Sequence, residues 1–211
     1  MGFVHNSLGD HRKALDYYVQ ALEISRAVAD AREEARALHS IGSVYNSLGK
    51  QREAIEFNVQ ALPLSHRAGD RRVEGAAISD LSLAYSGLGN PRLAIFFGKQ
   101  AVNIYQQVRS DIHGFETDAQ KSYLRSVETT YRTLAELLFT QGRLVEAQQV
   151  LNAFKNQQFL DIDKSQSIPP RLLKYTPHEA EVANKLDRLV SSPGGPELET
   201  RSALEIGRAH V

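Results

Sequence analysis

Cysteine is absent from all 211 residues of the chain. That excludes a disulfide, a thiolate metal site and a cysteine nucleophile within it. A reducing compartment is compatible with this, and a cytoplasmic location is expected. Neither sign of charge is in excess, because 25 Lys and Arg balance 25 Asp and Glu. A nucleic-acid footprint would need a basic surplus on one face, and an anionic membrane surface would select the same surplus. Neither partner is expected. No stretch approaches the roughly 20 apolar residues of a transmembrane helix. The opening Met1-Gly2-Phe3-Val4-His5-Asn6-Ser7 has neither the basic nor the apolar segment of a signal peptide, so none is expected.

Catalytic patterns are also missing. The seven histidines (His5, His11, His39, His66, His113, His178 and His210) show no metal-ligand spacing such as HExxH. Gly49-Lys50-Gln51 and Gly98-Lys99-Gln100 look like the end of a phosphate-binding loop. They lack the following Ser or Thr and a glycine five residues upstream, and they lie at or within helices, not after a strand. There is no G-x-S-x-G and no dinucleotide fingerprint. No enzyme activity, cofactor or metal is expected.

What the chain does have is repetition. Leu8-Gly9, Leu48-Gly49 and Leu88-Gly89 recur at a spacing of 40 residues, and Asn6 to Arg26 lies on Asn46 to His66 without a gap, with 11 of 21 positions identical. Leu88, Gly89, Arg92, Ala94, Gln100 and Ala101 survive in the third copy. A weaker fourth copy centres on Gln141-Gly142, with 13 extra residues before it. In the second copy Leu38, Ile41, Val44, Tyr45 and Leu48 share one face of a helix that Gly49 ends from the left-handed conformation. Ala54, Ile55, Val59, Ala61, Leu62 and Leu64 then mark a second helix. Asp30 and Asp70 are placed to cap the following helices, and Glu33 completes a capping-box pattern with Asp30. Ala14, Ala54, Ala94 and Ala147, with Ala21, Ala61 and Ala101, fit helix crossings that leave room for one methyl.

Ile41-Gly42-Ser43-Val44-Tyr45, the turn glycines and the paired alanines resemble the tetratricopeptide repeat (TPR) family. The third copy keeps Leu81 and Tyr85 with Ser82 for the first glycine; the fourth has Leu134, Ala135 and Leu138 in these places. The usual unit is roughly 34 residues and carries a proline after its second helix. Here Arg26, His66 and Gln106 stand at that place, so longer helices are expected, similar to the longer-period repeats of kinesin light chains. The resemblance implies an all-α fold: an α-solenoid of about four hairpins plus a C-terminal helix. The repeats are expected near 1–28, 30–68, 70–109 and 116–164, making an array over 1–160.

Leu137 to Asp163, followed by Tyr175-Thr176-Pro177-His178-Glu179-Ala180-Glu181, resembles the last TPR hairpin and linker in front of a CHAT domain, the caspase-like domain of many bacterial proteins. Thr176 would be the N-cap and Pro177 the first helical residue of a helix near His178 to Val190. Residues 165–204 are then linker and a loosely attached helix before a missing downstream domain, and any catalytic His–Cys pair would lie beyond this chain. Met1 aligns with Ile41, inside a first helix, so the natural protein is expected to begin earlier. Glu205-Ile206-Gly207-Arg208-Ala209-His210-Val211 back-translates to GAG ATC GGA AGA GCA CAC GTC, which resembles a common short-read sequencing adapter. Residues 205–211 are expected to be read-through, and the chain a fragment.

In TPR proteins the first helix of each unit lines a concave groove. The resemblance therefore places Asn6, Arg36, His39, Ser43, Asn46, Ser79, Leu83, Ser86, Arg132, Glu136 and Phe139 on a peptide groove. Asn6 and Asn46 are equivalent, and side-chain amides in a row can clamp an extended backbone. Arg36 and Arg132 are expected to meet acidic side chains of the ligand. The implied function is a protein-interaction scaffold that binds a partner protein or peptide, as the regulatory arm of a CHAT protein. Two alternatives stay open: self-association through exposed terminal hairpins, and a small-molecule or peptide sensor with an aromatic pocket around Tyr45, Tyr85 and Phe139. Long-read sequencing past the codon for Leu204 checks the reading of the chain's end. The adapter idea fails if that codon run stands in clean genomic DNA. The CHAT resemblance fails if the frame stops soon afterwards or runs into more repeats.

Overall fold

The computed structural model describes residues 1–111, 117–159 and 172–191. The described residues form nine α-helices and no strand: α1 Gly2–Ser7, α2 His11–Ala27, α3 Ala31–Ser47, α4 Gln51–Arg67, α5 Arg71–Gly87, α6 Pro91–Asp111, α7 Thr117–Thr140, α8 Leu144–Phe159 and α9 Pro177–Ser191. The first eight pair into four antiparallel hairpins stacked in chain order. This is the all-α TPR-type solenoid.

The turns explain why a 40-residue unit folds as two equal helices. At Gly49, φ is 70°; its N–H donates to Asn46 O at 3.0 Å and the Lys50 N–H to Tyr45 O at 2.9 Å. The two bonds satisfy carbonyls that the helix end would orphan, and they require a residue in the left-handed region. Between hairpins two and three Gly69 does the same at φ 63°, but between hairpins one and two the position is Ala29, at φ 55°. Asp10, Asp30, Asp70 and Asn90 accept from backbone N–H groups in the first turns of α2, α3, α5 and α6. The reciprocal box at Asp30 does not form. The Asp30 N–H is taken by Ser25 O at 2.9 Å, and Glu33 turns to Arg36 instead. The 13 extra residues before the fourth copy lengthen α6 and α7 to 21 and 24 residues, against 17 in α2 to α5.

Ala14, Ala54 and Ala94 are fully buried, as are Ala61 and Ala101. Ala21 is exposed. The reason is local: α1 has six residues, so the C-terminal half of α2 lacks the helix that covers the same place in hairpins two and three. Ile24, on that half, and Val28, just after it, are 65% and 67% exposed.

Helix α9 is not loosely attached. It lies against the second helices, with Leu173, Val182 and Leu186 buried in the common core. Thr176 and Glu179 form the reciprocal cap: Thr176 Oγ1 accepts from the Glu179 N–H at 3.3 Å, and Glu179 Oε2 from the Thr176 N–H at 2.8 Å. The same carboxylate reaches Lys99 Nζ of α6 at 2.8 Å and Arg143 at 2.9 Å. Lys99 is 1% exposed. Its ammonium has three donors, which meet Glu146 at 2.5 Å, Glu179 and the Lys174 carbonyl at 3.1 Å. Asn103 reads the extended segment ahead of α9 in both directions: Oδ1 accepts from the Leu173 N–H at 2.7 Å and Nδ2 donates to Leu173 O at 3.1 Å. Hydropathy gave no sign of the polar half of this docking, the Lys99, Asn103 and Glu179 contacts. Residues 160–171 and 192–211, with much of the expected 165–204 linker and the whole 205–211 tail, lie outside the described residues.

Two outcomes are expected. Ala29→Gly removes a Cβ from the left-handed region, and after the entropy of the freer unfolded chain is subtracted it should stabilise by roughly 0.5 kcal/mol. A melting temperature that falls would contradict the strain. Second, burial pushes the Glu179 carboxyl up, but Lys99, the Thr176 N–H and Arg143 outweigh it and hold it below its ordinary 4.5. Glu146 is held low in the same way, Arg143 and Lys99 outweighing its burial. A depressed folded value gives stability that is full above the ordinary value and lost as the pH falls through the folded one. So α9 should come free on acidification below about 4.5, before the repeats unfold. Glu179→Ala should free it at neutral pH, since breaking a buried network costs roughly 3–5 kcal/mol. Amide exchange resolved by helix reads both; α9 protection unchanged in Glu179→Ala would contradict the role given to the cluster.

Candidate functional site

The second-helix face is covered over hairpins two to four by the 172–191 segment, so the first-helix face of α3, α5 and α7 is the open one. Of the expected groove residues Asn6 lies on α1 and the others on α3, α5 and α7, and many of them are used for other work.

Arg36 is taken. Its guanidinium meets Asp70 Oδ2 of the next hairpin at 2.9 Å and Glu33 at 2.5 Å. Asn46 Nδ2 donates to Asp80 O at 2.9 Å, and Asn6 Oδ1 meets His11 Nδ1 at 3.0 Å. The amides thus stitch helix to helix and do not stand free as a clamp. The amide that does grip an extended backbone is Asn103, on the opposite face. Arg132 pairs with Glu128 at 2.5 Å on its own helix. Both arginines, expected to meet a ligand's acids, are neutralised by acids of the chain itself. The reason is spacing: position 70, one repeat after Asp30, caps α5 and sits beside Arg36. Ser43 O accepts from Ser47 Oγ. Glu136 and Phe139 point to solvent from α7, Phe139 being 68% exposed. Ser86 is half-buried on the last turn of α5.

His39, Ser79 and Leu83 do come together. They line a cleft of about 200 Å³ that crosses α5 from α3 to α7, with Asp80 and Ser82 beside them and Ser126, Thr129, Thr130 and Thr133 on the α7 wall. Ser79 Oγ and Thr130 Oγ1 are 2.8 Å apart. The Tyr105 phenol forms part of the floor; burial, with the Asp80 carboxylate adding to it, pushes it up to about 12, so it stays a neutral hydroxyl. His39 Nε2 lies 3.4 Å from Asp80 Oδ2. Asp80 and the α7 hydroxyls were not among the sequence candidates. Asp80 falls one residue off the expected face, at the position of Ser40 in the previous unit, and Thr130 and Thr133 enter only because α7 packs next to α5.

The aromatic pocket does not assemble. Tyr45 stacks on Phe57 at 5.4 Å and Tyr85 on Phe97 at 5.3 Å, each within its own hairpin. His5 on Tyr17, at 5.4 Å, is the same pair in hairpin one. These rings brace the hairpins and leave Phe139 apart from them.

This recurrent stack runs through the region where a known family is matched: residues 1–67, helices α1 to α4, match the tetratricopeptide repeat model. The fold is a TPR-type solenoid. No curated protein matches the chain. Repeats of the TPR type mediate protein–protein interaction. Among the described residues no group of three His, Asp or Glu could hold a metal ion, and no described helix is long and apolar enough to cross a membrane.

Proposed function

We propose that the chain holds an extended segment of a partner protein on the first-helix face of α3, α5 and α7. The observation that carries this is the division of the two faces. The second-helix side is filled by the chain's own 172–191 segment, while the first-helix side keeps an open cleft with Leu83, 38% exposed, in its wall. A hydroxyl-lined trough with an exposed leucine in its wall suits an extended main chain: hydroxyls both donate and accept, and Leu83 can cover a side chain of the segment.

A second reading rests on the cluster at Lys99. The likeness of residues 130–190 to the region in front of a CHAT domain makes the 172–191 segment the mechanical link between repeats and a downstream domain. Its docking on α6 and α8 through Glu179 would then let ligand binding on the repeats bias that domain; the sequencing past Leu204 tests this.

The groove reading is tested by panning a displayed library of random nine-residue peptides on the full chain. A spin-labelled copy of a selected peptide is expected to broaden the Leu83 methyl resonances and to spare those of Leu151 and Leu172, which are exposed at 41% and 47% away from the cleft. Broadening at Leu172 without Leu83, or a library that yields no binder, sinks the proposal.

A further inference from the structure

The cleft across α5 holds an acid without a matching donor. Asp80 is the carboxylate among its lining residues. Its side chain is 14% exposed, and no hydrogen bond reaches its buried Oδ2 among the described residues. His39 stands 3.4 Å away but outside hydrogen-bonding geometry. A buried carboxylate oxygen left without a donor is costly, so the site gains from any group that brings N–H donors and positive charge into it.

Two arginines of this face are already held by acids of the chain, Arg36 by Asp70 and Glu33, and Arg132 by Glu128. Glu136 has no cation paired with it among the described residues. An acid without a donor in a partly enclosed cleft attracts cations more strongly than one in water. Size narrows the ligand further. Sites for drug-sized molecules and cofactors run to roughly 300–1,000 Å³; this cleft, at about 200 Å³, takes one side chain of something larger. A metal ion is a poor fit, because a single carboxylate with neutral hydroxyls lacks the charge and ligand number a cation site needs.

We infer that the cleft is a specificity pocket for a lysine or arginine side chain of the bound segment, with Asp80 as the counter-ion and the hydroxyls of Ser79, Thr130 and Thr133 taking the remaining N–H donors. The inference rests on the groove reading above and gives it a sequence preference: the partner's segment is basic at one register position. This is the reverse of what the two groove arginines suggested from sequence.

The test uses peptides selected on the full chain. They are expected to carry Lys or Arg at one fixed position. Replacing that residue by norleucine should weaken binding roughly tenfold or more, as loss of a charge-assisted pair does. Asp80→Asn, nearly the same shape, should erase the difference between the lysine and norleucine peptides. Thr133→Lys, which tethers an ammonium in the same pocket, should raise the melting temperature and block the basic peptides; this variant keeps the test open if Asp80→Asn folds poorly. Peptides that bind on the Leu83 side without a fixed basic position, or that bind Asp80→Asn and the native chain equally, overturn this inference and leave the groove reading standing. A library that yields no binder overturns both.

Discussion

A helical hairpin has more apolar surface than its two helices can hide from water, and everything else in this molecule follows from where that surplus goes. In hairpins two and three it goes to the neighbours: Leu38, Ile41, Leu62 and Leu81 are all but inaccessible, and fully buried Ala54, Ala61, Ala94 and Ala101 let the helices approach closely enough to bury them. In hairpin one the surplus stays bare, because six residues of α1 cannot cover seventeen of α2. On the second-helix side of hairpins two to four, the 172–191 segment covers the rest.

That last step is made by charge as much as by apolar contact. Lys99 sits in a dry position that only a fully satisfied ammonium tolerates, and Glu146, Glu179 and the Lys174 carbonyl supply its three acceptors. The cost of leaving any of these unmatched fixes both the register and the side on which the segment docks. With one face of the solenoid occupied by the chain itself, the other stays open, and there the matching is incomplete: Arg36 and Arg132 are held by acids of the chain, while the buried oxygen of Asp80 has no donor among the described residues.

The helical hairpins were legible because they are local. Leucine and isoleucine at helical spacing, aspartates ahead of first turns and glycines after last ones act within a few residues of themselves, and a 40-residue period repeats the message. Ala29 shows the limit, since nothing in its identity announces a left-handed residue; only its alignment with Gly69 does. The first-helix face was legible, the cleft in it only in part. Repeat offsets singled out His39, Ser79 and Leu83, which line that cleft, but the same offsets left Arg36 and Asn46 free to bind a ligand, although each finds a partner in the next hairpin.

The sequence by itself determined the helices, their turns and their order, because hydrophobic period and capping chemistry are properties of neighbouring residues. Tertiary structure alone decided which polar groups are spent and which remain. Pairings such as Arg36 with Asp70, Lys99 with Glu179 and Ser79 with Thr130 join residues 34, 80 and 51 positions apart. A side chain's availability depends on what packing brings beside it, and no local pattern encodes that.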